Sequence, residues 1–183
     1  CNEVFDELDS PEFRNILENM TGIKGIFVDP TLDGGGLHQV FNGGSLNVHS
    51  DFLVHTVEKK WKRVINLIIY LNKDWKEEYK GCLELWDKEM KECKQKILPS
   101  FNKIVIFSTT DFSNHGHPDP IDCPSDISRK SIALYYFSEG RPKEEIFNED
   151  QKNRTYFKNR FGFNNEIKGQ KEHIKNFLRK FSL

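Results

Sequence analysis

Val48-His49-Ser50-Asp51-Phe52 places an imidazole and a carboxylate two residues apart among apolar neighbours. On a strand, residues two apart project to one face, so His49 and Asp51 would stand side by side as a pair of metal ligands. Further along comes Asp111-Phe112-Ser113-Asn114-His115-Gly116-His117-Pro118. One imidazole from it, His115 or His117, would complete a set of two histidines and one carboxylate. Such a facial set suits non-haem Fe(II), because it leaves positions open on one side of the ion. Arg129 opens the apolar run 130–137. A guanidinium buried there would be costly unless it met an anion, and its fork suits a carboxylate.

Each of these residues also has a plainer reading. His-x-Asp arises by chance, as a surface pair or a simple hydrogen bond, and Arg129 alone is an exposed arginine at a strand start. The weight lies in finding all of them in one chain. His115-Gly116-His117-Pro118-Asp119 also spells the His-x-His-x-Asp of zinc hydrolases, yet residue 120 is proline where such sites add a histidine. His38 and Gln39 either face a cavity and touch substrate or, for His38, stand as a structural residue at a strand start. His55 reads as loop and His173 as a solvated helix residue. Trp61, Trp75 and Trp86 read as packing anchors.

The elements that must position these residues are short. Runs rich in β-branched, leucine and aromatic residues cover 46–49, 64–71, 83–86, 97–98, 104–107 and 131–137, separated by turns such as Asn42-Gly43-Gly44 and Asn72-Lys73-Asp74. The gaps are mostly too short for helical crossovers, which predicts antiparallel pairing in a sandwich or barrel. Residues 1–30 read as helical support. Ser10-Pro11 is a cap and first-turn proline, Phe13, Ile16, Leu17 and Met20 form an apolar stripe, and Gly22 ends the helix. Residues 37–138 are the β core. Residues 140–183 are a charged extension, with a helix predicted from Ile174, Phe177, Leu178 and Phe181. The whole chain, 1–183, reads as one domain. Loops 33–44 and 55–62 are expected to face substrate.

Composition narrows the partners. Lys and Arg number 27 against 28 Asp and Glu, and the mean hydropathy is −0.65. The balance gives no basic field for nucleic acid, and apolar runs such as 67–71 fall far short of the roughly 20 residues of a spanning helix. Cys1, Cys82, Cys93 and Cys123 form no regular pattern, so a reducing compartment, the cytoplasm, is the expectation. The first residue is Cys rather than Met, which leaves open what precedes it.

One further pattern joins these pieces. His-x-Asp comes first, then a strand ending Ile69-Tyr70-Leu71-Asn72-Lys73-Asp74-Trp75, then Gly81-Cys82-Leu83-Glu84-Leu85, then a distal His, then Arg129 before Ser-Ile-Ala-Leu-Tyr-Tyr-Phe. This order resembles the Fe(II)/2-oxoglutarate-dependent dioxygenases, and within them the prolyl 4-hydroxylase-like branch. The resemblance implies a mainly β fold with flanking helices around a double-stranded β-helix of the jelly-roll, cupin-like kind, with eight strands in two sheets. It implies Fe(II) held by His49, Asp51 and His115, with His117 lining the cosubstrate pocket instead. It implies 2-oxoglutarate bound through Arg129 and Tyr70, packed by Leu83 and Ile68, with O2 as oxidant and ascorbate as reductant. The implied reaction hydroxylates an aliphatic C–H, with a prolyl residue of a peptide or protein foremost and a small molecule or another side chain as the alternative. A non-catalytic barrel is the remaining one. Two departures stand out: Lys80-Gly81 replaces a frequent Gly-Gly, and the segment holding Gln39 and Phe41 lacks a tyrosine that some prolyl hydroxylases carry near the metal.

Overall fold

A computed structural model describes residues 2–141 and 154–160. Two helices come first, α1 (Asn2–Leu8) and α2 (Pro11–Thr21). The Ser10 side chain accepts the Phe13 N–H at 3.1 Å, and Gly22 closes α2 in the left-handed conformation, φ 76°. Of the predicted stripe, Leu17 is fully buried and Phe13 packs beside it, while Ile16 and Met20 are exposed at 52% and 67%. The helix therefore meets the sheet along a narrower face than its sequence period suggests.

The strands are β1 (Phe27–Val28), β2 (Gly36–Val40), β3 (Leu46–Ser50), β4 (Lys62–Tyr70), β5 (Leu83–Trp86), β6 (Cys93–Ile97), β7 (Lys103–Ser108), β8 (Asn114–His117), β9 (Arg129–Ser138) and β10 (Tyr156–Phe157). They form two five-stranded sheets. One runs β1-β9-β4-β7, with β2 also on β9, and the other runs β10-β3-β8-β5-β6. Every pairing between them is antiparallel, and the core is a double-stranded β-helix. The count exceeds eight because β1 and β2 lie end to end along β9, and β10 adds an edge next to β3.

The run at 64–71 is apolar but for Asn66 because β4 is covered on both faces. Ile65 and Leu67 join Leu8, Leu17, Leu134 and Tyr136 in a core beneath the helices. Ile68 and Tyr70 face the other way, into a layer with Leu83, Val105 and Phe107 between the sheets. Trp75 and Trp61 are packing residues: Trp75 is 6% exposed, and Trp61 meets Phe27 edge to face at 5.0 Å and packs 5.1 Å from the tilted His55 ring. Cys82, Cys93 and Cys123 are free thiols. No helix among the described residues is long and apolar enough to cross a membrane. The helix predicted around His173 lies outside the described residues.

Candidate metal centre and anion pocket

β3 and β8 are adjacent, and their register sets His49 directly opposite His115. Cross-strand partners share a face, so both imidazoles enter the space between the sheets, with ring centroids 4.5 Å apart. Asp51 follows β3 and joins them. The ligand atoms of His49, Asp51 and His115 all lie within 4.8 Å of one another, and all three residues are buried. His49 Nε2 is 3.5 Å from Asp51 Oδ1, and His115 Nε2 is 3.4 Å from Asp51 Oδ2.

The backbone sets both tautomers. His49 Nδ1 lies 2.8 Å from the Asn47 carbonyl and His115 Nδ1 lies 2.9 Å from that of Ser113. A carbonyl only accepts, so each Nδ1 carries its proton and each Nε2 turns a lone pair toward the centre. Burial holds the His115 pKa down to about 4 against the pull of Asp51, with the Arg63 charge adding to it, so this imidazole is neutral at neutral pH.

Asp51 is fixed by two residues absent from the sequence expectations. Its Oδ2 accepts from Arg63 Nη2 at 2.8 Å and from Asn66 Nδ2 at 2.7 Å. Burial works to raise the Asp51 pKa, but the Arg63 guanidinium beside it outweighs that and keeps the group well below the usual carboxylate range. Arg63 is itself 2% exposed and sits 3.3 Å over the Tyr135 ring and 4.7 Å over Phe52. One signal was readable: Asn66 interrupts an apolar run, and a buried amide needs a partner. Nothing comparable marked Arg63, which ends a basic-looking Lys-Trp-Lys-Arg stretch and faces inward through a bulge between Arg63 and Ile65.

These groups open onto a cavity of about 480 Å3. Ile68, Leu83, His117 and Arg129 line it, as do His38 and Gln39 at its rim. Gln39 Nε2 donates to Ser128 Oγ at 2.8 Å, and His38 faces Ser131 across β2 and β9. Arg129 is 6% exposed; it donates to the Gly81 carbonyl at 2.8 Å and to Tyr70 Oη at 3.3 Å. No carboxylate among the described residues pairs with it. Tyr70 is buried, and burial pushes its pKa up against the opposing Arg129 charge, so its phenol keeps a proton to donate. His117 lies one β period from His115, outside the three-ligand cluster. Its Nδ1 is buried with no hydrogen-bond partner among the described residues. Burial, then Arg129, hold its pKa down to about 3.

The zinc-hydrolase arrangement is not assembled. Asp119 turns outward to Arg160 at 2.6 Å and Lys96 at 3.2 Å instead of joining His115 and His117. Loop 55–62 lines no part of the cavity. His55 in it is loop, as expected, but buried, with Nε2 3.1 Å from Asp29. At the missing tyrosine, Phe41 is 61% exposed. Tyr135, from β9, is instead the aromatic hydroxyl residue lining the cavity.

Residues 35–137 match the model of the 2OG-Fe(II) oxygenase superfamily, more than half of the chain. Among solved structures, a prolyl 4-hydroxylase of Phytophthora capsici superposes with a TM-score of 0.54 at 19% identity, over 74% of this chain and 42% of that one. The viral collagen prolyl hydroxylase vCPH of Paramecium Bursaria Chlorella virus-1, in its 2OG complex, gives 0.54 at 16% identity, over 74% and 72%. At such identities the likeness is one of fold, and this chain spans about two fifths of the length of the Phytophthora protein. No curated protein matches the chain.

Proposed function

The chain belongs to the 2OG-Fe(II) oxygenase superfamily, and from that premise we propose that it is a 2-oxoglutarate-dependent dioxygenase that hydroxylates an aliphatic C–H, foremost a prolyl residue in a peptide or protein. One observation carries the reading. A buried set of two histidines and a carboxylate shares a cavity with a buried arginine that no described carboxylate neutralises. The donor set fits Fe(II), and the arginine fits the distal carboxylate of a dianionic keto acid.

In this reading His49, Asp51 and His115 hold the metal, and Arg63 and Asn66 keep the Asp51 carboxylate ionised and aimed. Arg129 forms a charge-assisted contact to the distal carboxylate, and Tyr70 turns its hydroxyl proton to the same group. The unpartnered Nδ1 of His117 adds a polar atom in the same pocket. Ile68 and Leu83 exclude water from it. The bound metal and cosubstrate supply the oxidising chemistry, coupling hydroxylation by O2 to release of succinate and CO2. No side chain is needed as a general base. Prolyl specificity is supported by fold likeness alone, and a small molecule or another side chain is the alternative substrate.

The test is an anaerobic titration with Fe(II) and 2-oxoglutarate, followed by the visible charge-transfer band of the chelate. The expected result is a band in the parent and in His117→Ala protein that is lost in His115→Ala. A folded parent that shows no band would sink the proposal. Hydroxyproline on a proline-containing peptide then decides the substrate.

A further inference from the structure

β3 carries His49, and its ladder with β8 shifts register between Leu46 and His49. Its other neighbour is β10, from the far C-terminal part of the described chain. β10 pairs where the ladder needs it, Phe157 opposite His49 and Tyr156 opposite Ser50, and the Lys158 N–H donates to the Val48 carbonyl at 2.7 Å. Without these residues, β3 would be a sheet edge. The Phe157 ring, on the same face as its cross-strand partner, packs 5.5 Å from the His49 ring.

The segment is anchored on the opposite face of the sheet. Leu83 and Leu85 point between the sheets, so Glu84 points outward, yet it is only 1% exposed. Arg160 covers it. Its Nη2 is 3.2 Å from Glu84 Oε1, its Nη1 is 2.6 Å from Asp119, and its guanidinium sits 5.8 Å over the Trp86 ring. Trp86 Nε1 donates to the second Glu84 oxygen at 2.9 Å, and Lys96 approaches both carboxylates from the solvent side. A carboxylate buried this far outside the cavity, with its partners in place, is a built anchor and not a chance surface pair.

We propose that residues 154–160 brace the His49 strand for metal binding, with Phe157 and Arg160 as positioning residues. The proposal rests on the metal-centre reading above. The family match covers residues 35–137 and does not reach the brace. Through backbone pairing and the tilted ring packed beside it, it restricts the His49 imidazole. Partners outside the ligand set usually contribute about 10-fold or more to metal affinity.

The experiment titrates the full chain with Co(II), anaerobically, reading the d–d absorption band, with thermal melts of the metal-free proteins beside it. Arg160→Ala and Phe157→Ala are each expected to weaken Co(II) binding by roughly 10-fold while remaining folded, and Arg160→Lys to restore part of the loss. Lys96→Ala touches the same carboxylates but not the brace, and is expected to bind as the parent does. Unchanged Co(II) affinity in both brace variants overturns the proposal, as does an equal loss in Lys96→Ala. Phe157→Ala that raises only the KM for a peptide would make the ring a substrate contact and likewise overturn it. If His49→Ala binds Co(II) as tightly as the parent, the metal-centre reading itself fails, and the brace with it.

Discussion

Arg63 Nη2 stands 2.8 Å from Asp51 Oδ2, with both side chains almost wholly buried. The pair neutralises a carboxylate that would otherwise sit uncompensated between two sheets. It also keeps this carboxylate of the candidate metal centre ionised before any cation arrives. Removing one partner of a buried pair leaves the other as an isolated charge, so Arg63→Leu should cost the metal-free protein about 3–5 kcal/mol. A divalent cation replaces the lost positive charge, so saturating Mn(II) should recover part of that stability. Urea denaturation with and without Mn(II) checks both. Equal losses in the two conditions would mean that Arg63 matters only for packing on Tyr135 and Phe52.

Arg129 has no such acidic partner in the described chain, and its contacts are a carbonyl and a phenol. Arg129→Leu should therefore weaken 2-oxoglutarate binding by roughly 10- to 100-fold, the range for hydrogen bonds to charged groups, and leave metal affinity near that of the parent. Isothermal titration of the Mn(II)-loaded protein with 2-oxoglutarate separates the two quantities. Equal weakening of metal binding would place Arg129 in the architecture of the centre and not in anion recognition.

The turn before β5 holds Arg129 from behind. Gly81 has φ +68°, and a Cβ there would lie 3.2 Å from Arg129 Cδ and 3.1 Å from Ile121. Gly81→Ala should destabilise the fold and lower 2-oxoglutarate affinity together. Its neighbour Lys80 adopts φ 57°, ψ −146°, a region that suits glycine. Lys80→Gly, which restores the Gly-Gly of the wider family, should stabilise the protein by about 1 kcal/mol, since its exposed pair with Asp122 contributes little. A lower melting temperature for Lys80→Gly would refute the strain.

Asp29 ties loop 29–33 to His55. Burial works to raise its pKa, but Thr31 Oγ1 at 2.6 Å, the N–H groups of Asp33 and Thr31, and His55 together bring it to about 2. His55 Nδ1 accepts from the N–H groups of Val57 and Glu58, so Nε2 carries the proton given to Asp29. Unfolded Asp takes up a proton near 3.9. Between that value and about 2 the unfolded chain holds more protons, and stability falls as pH falls. Urea midpoints of the parent should decline across this window, and those of Asp29→Asn should decline less steeply from a lower starting stability. Parallel slopes would show that Asp29 titrates alike in both states.

The sequence carried the chemistry because its residues are local. His49 and Asp51 sit one strand period apart, and Ser10-Pro11 and Gly22 bound a helix as their backbone preferences require. The alternation of Asn66, Ile68 and Tyr70 against Ile65 and Leu67 already assigns opposite faces to β4. What pairs across the sheets had no local signature. Arg63 reads as surface charge until a bulge turns it inward onto Asp51. Which histidine stands beside His49 and Asp51 follows from the register His49 opposite His115, which depends on how β3 and β8 align. The C-terminal part showed charge without a site, and only the placement of Arg160 over Glu84 and of Phe157 against His49 gives residues 154–160 a position next to the candidate metal centre. Strand period and capping act over a few residues and are written in order along the chain. Register, bulges and buried ion pairs are settled by partners far apart in sequence, and the tertiary structure alone decided those.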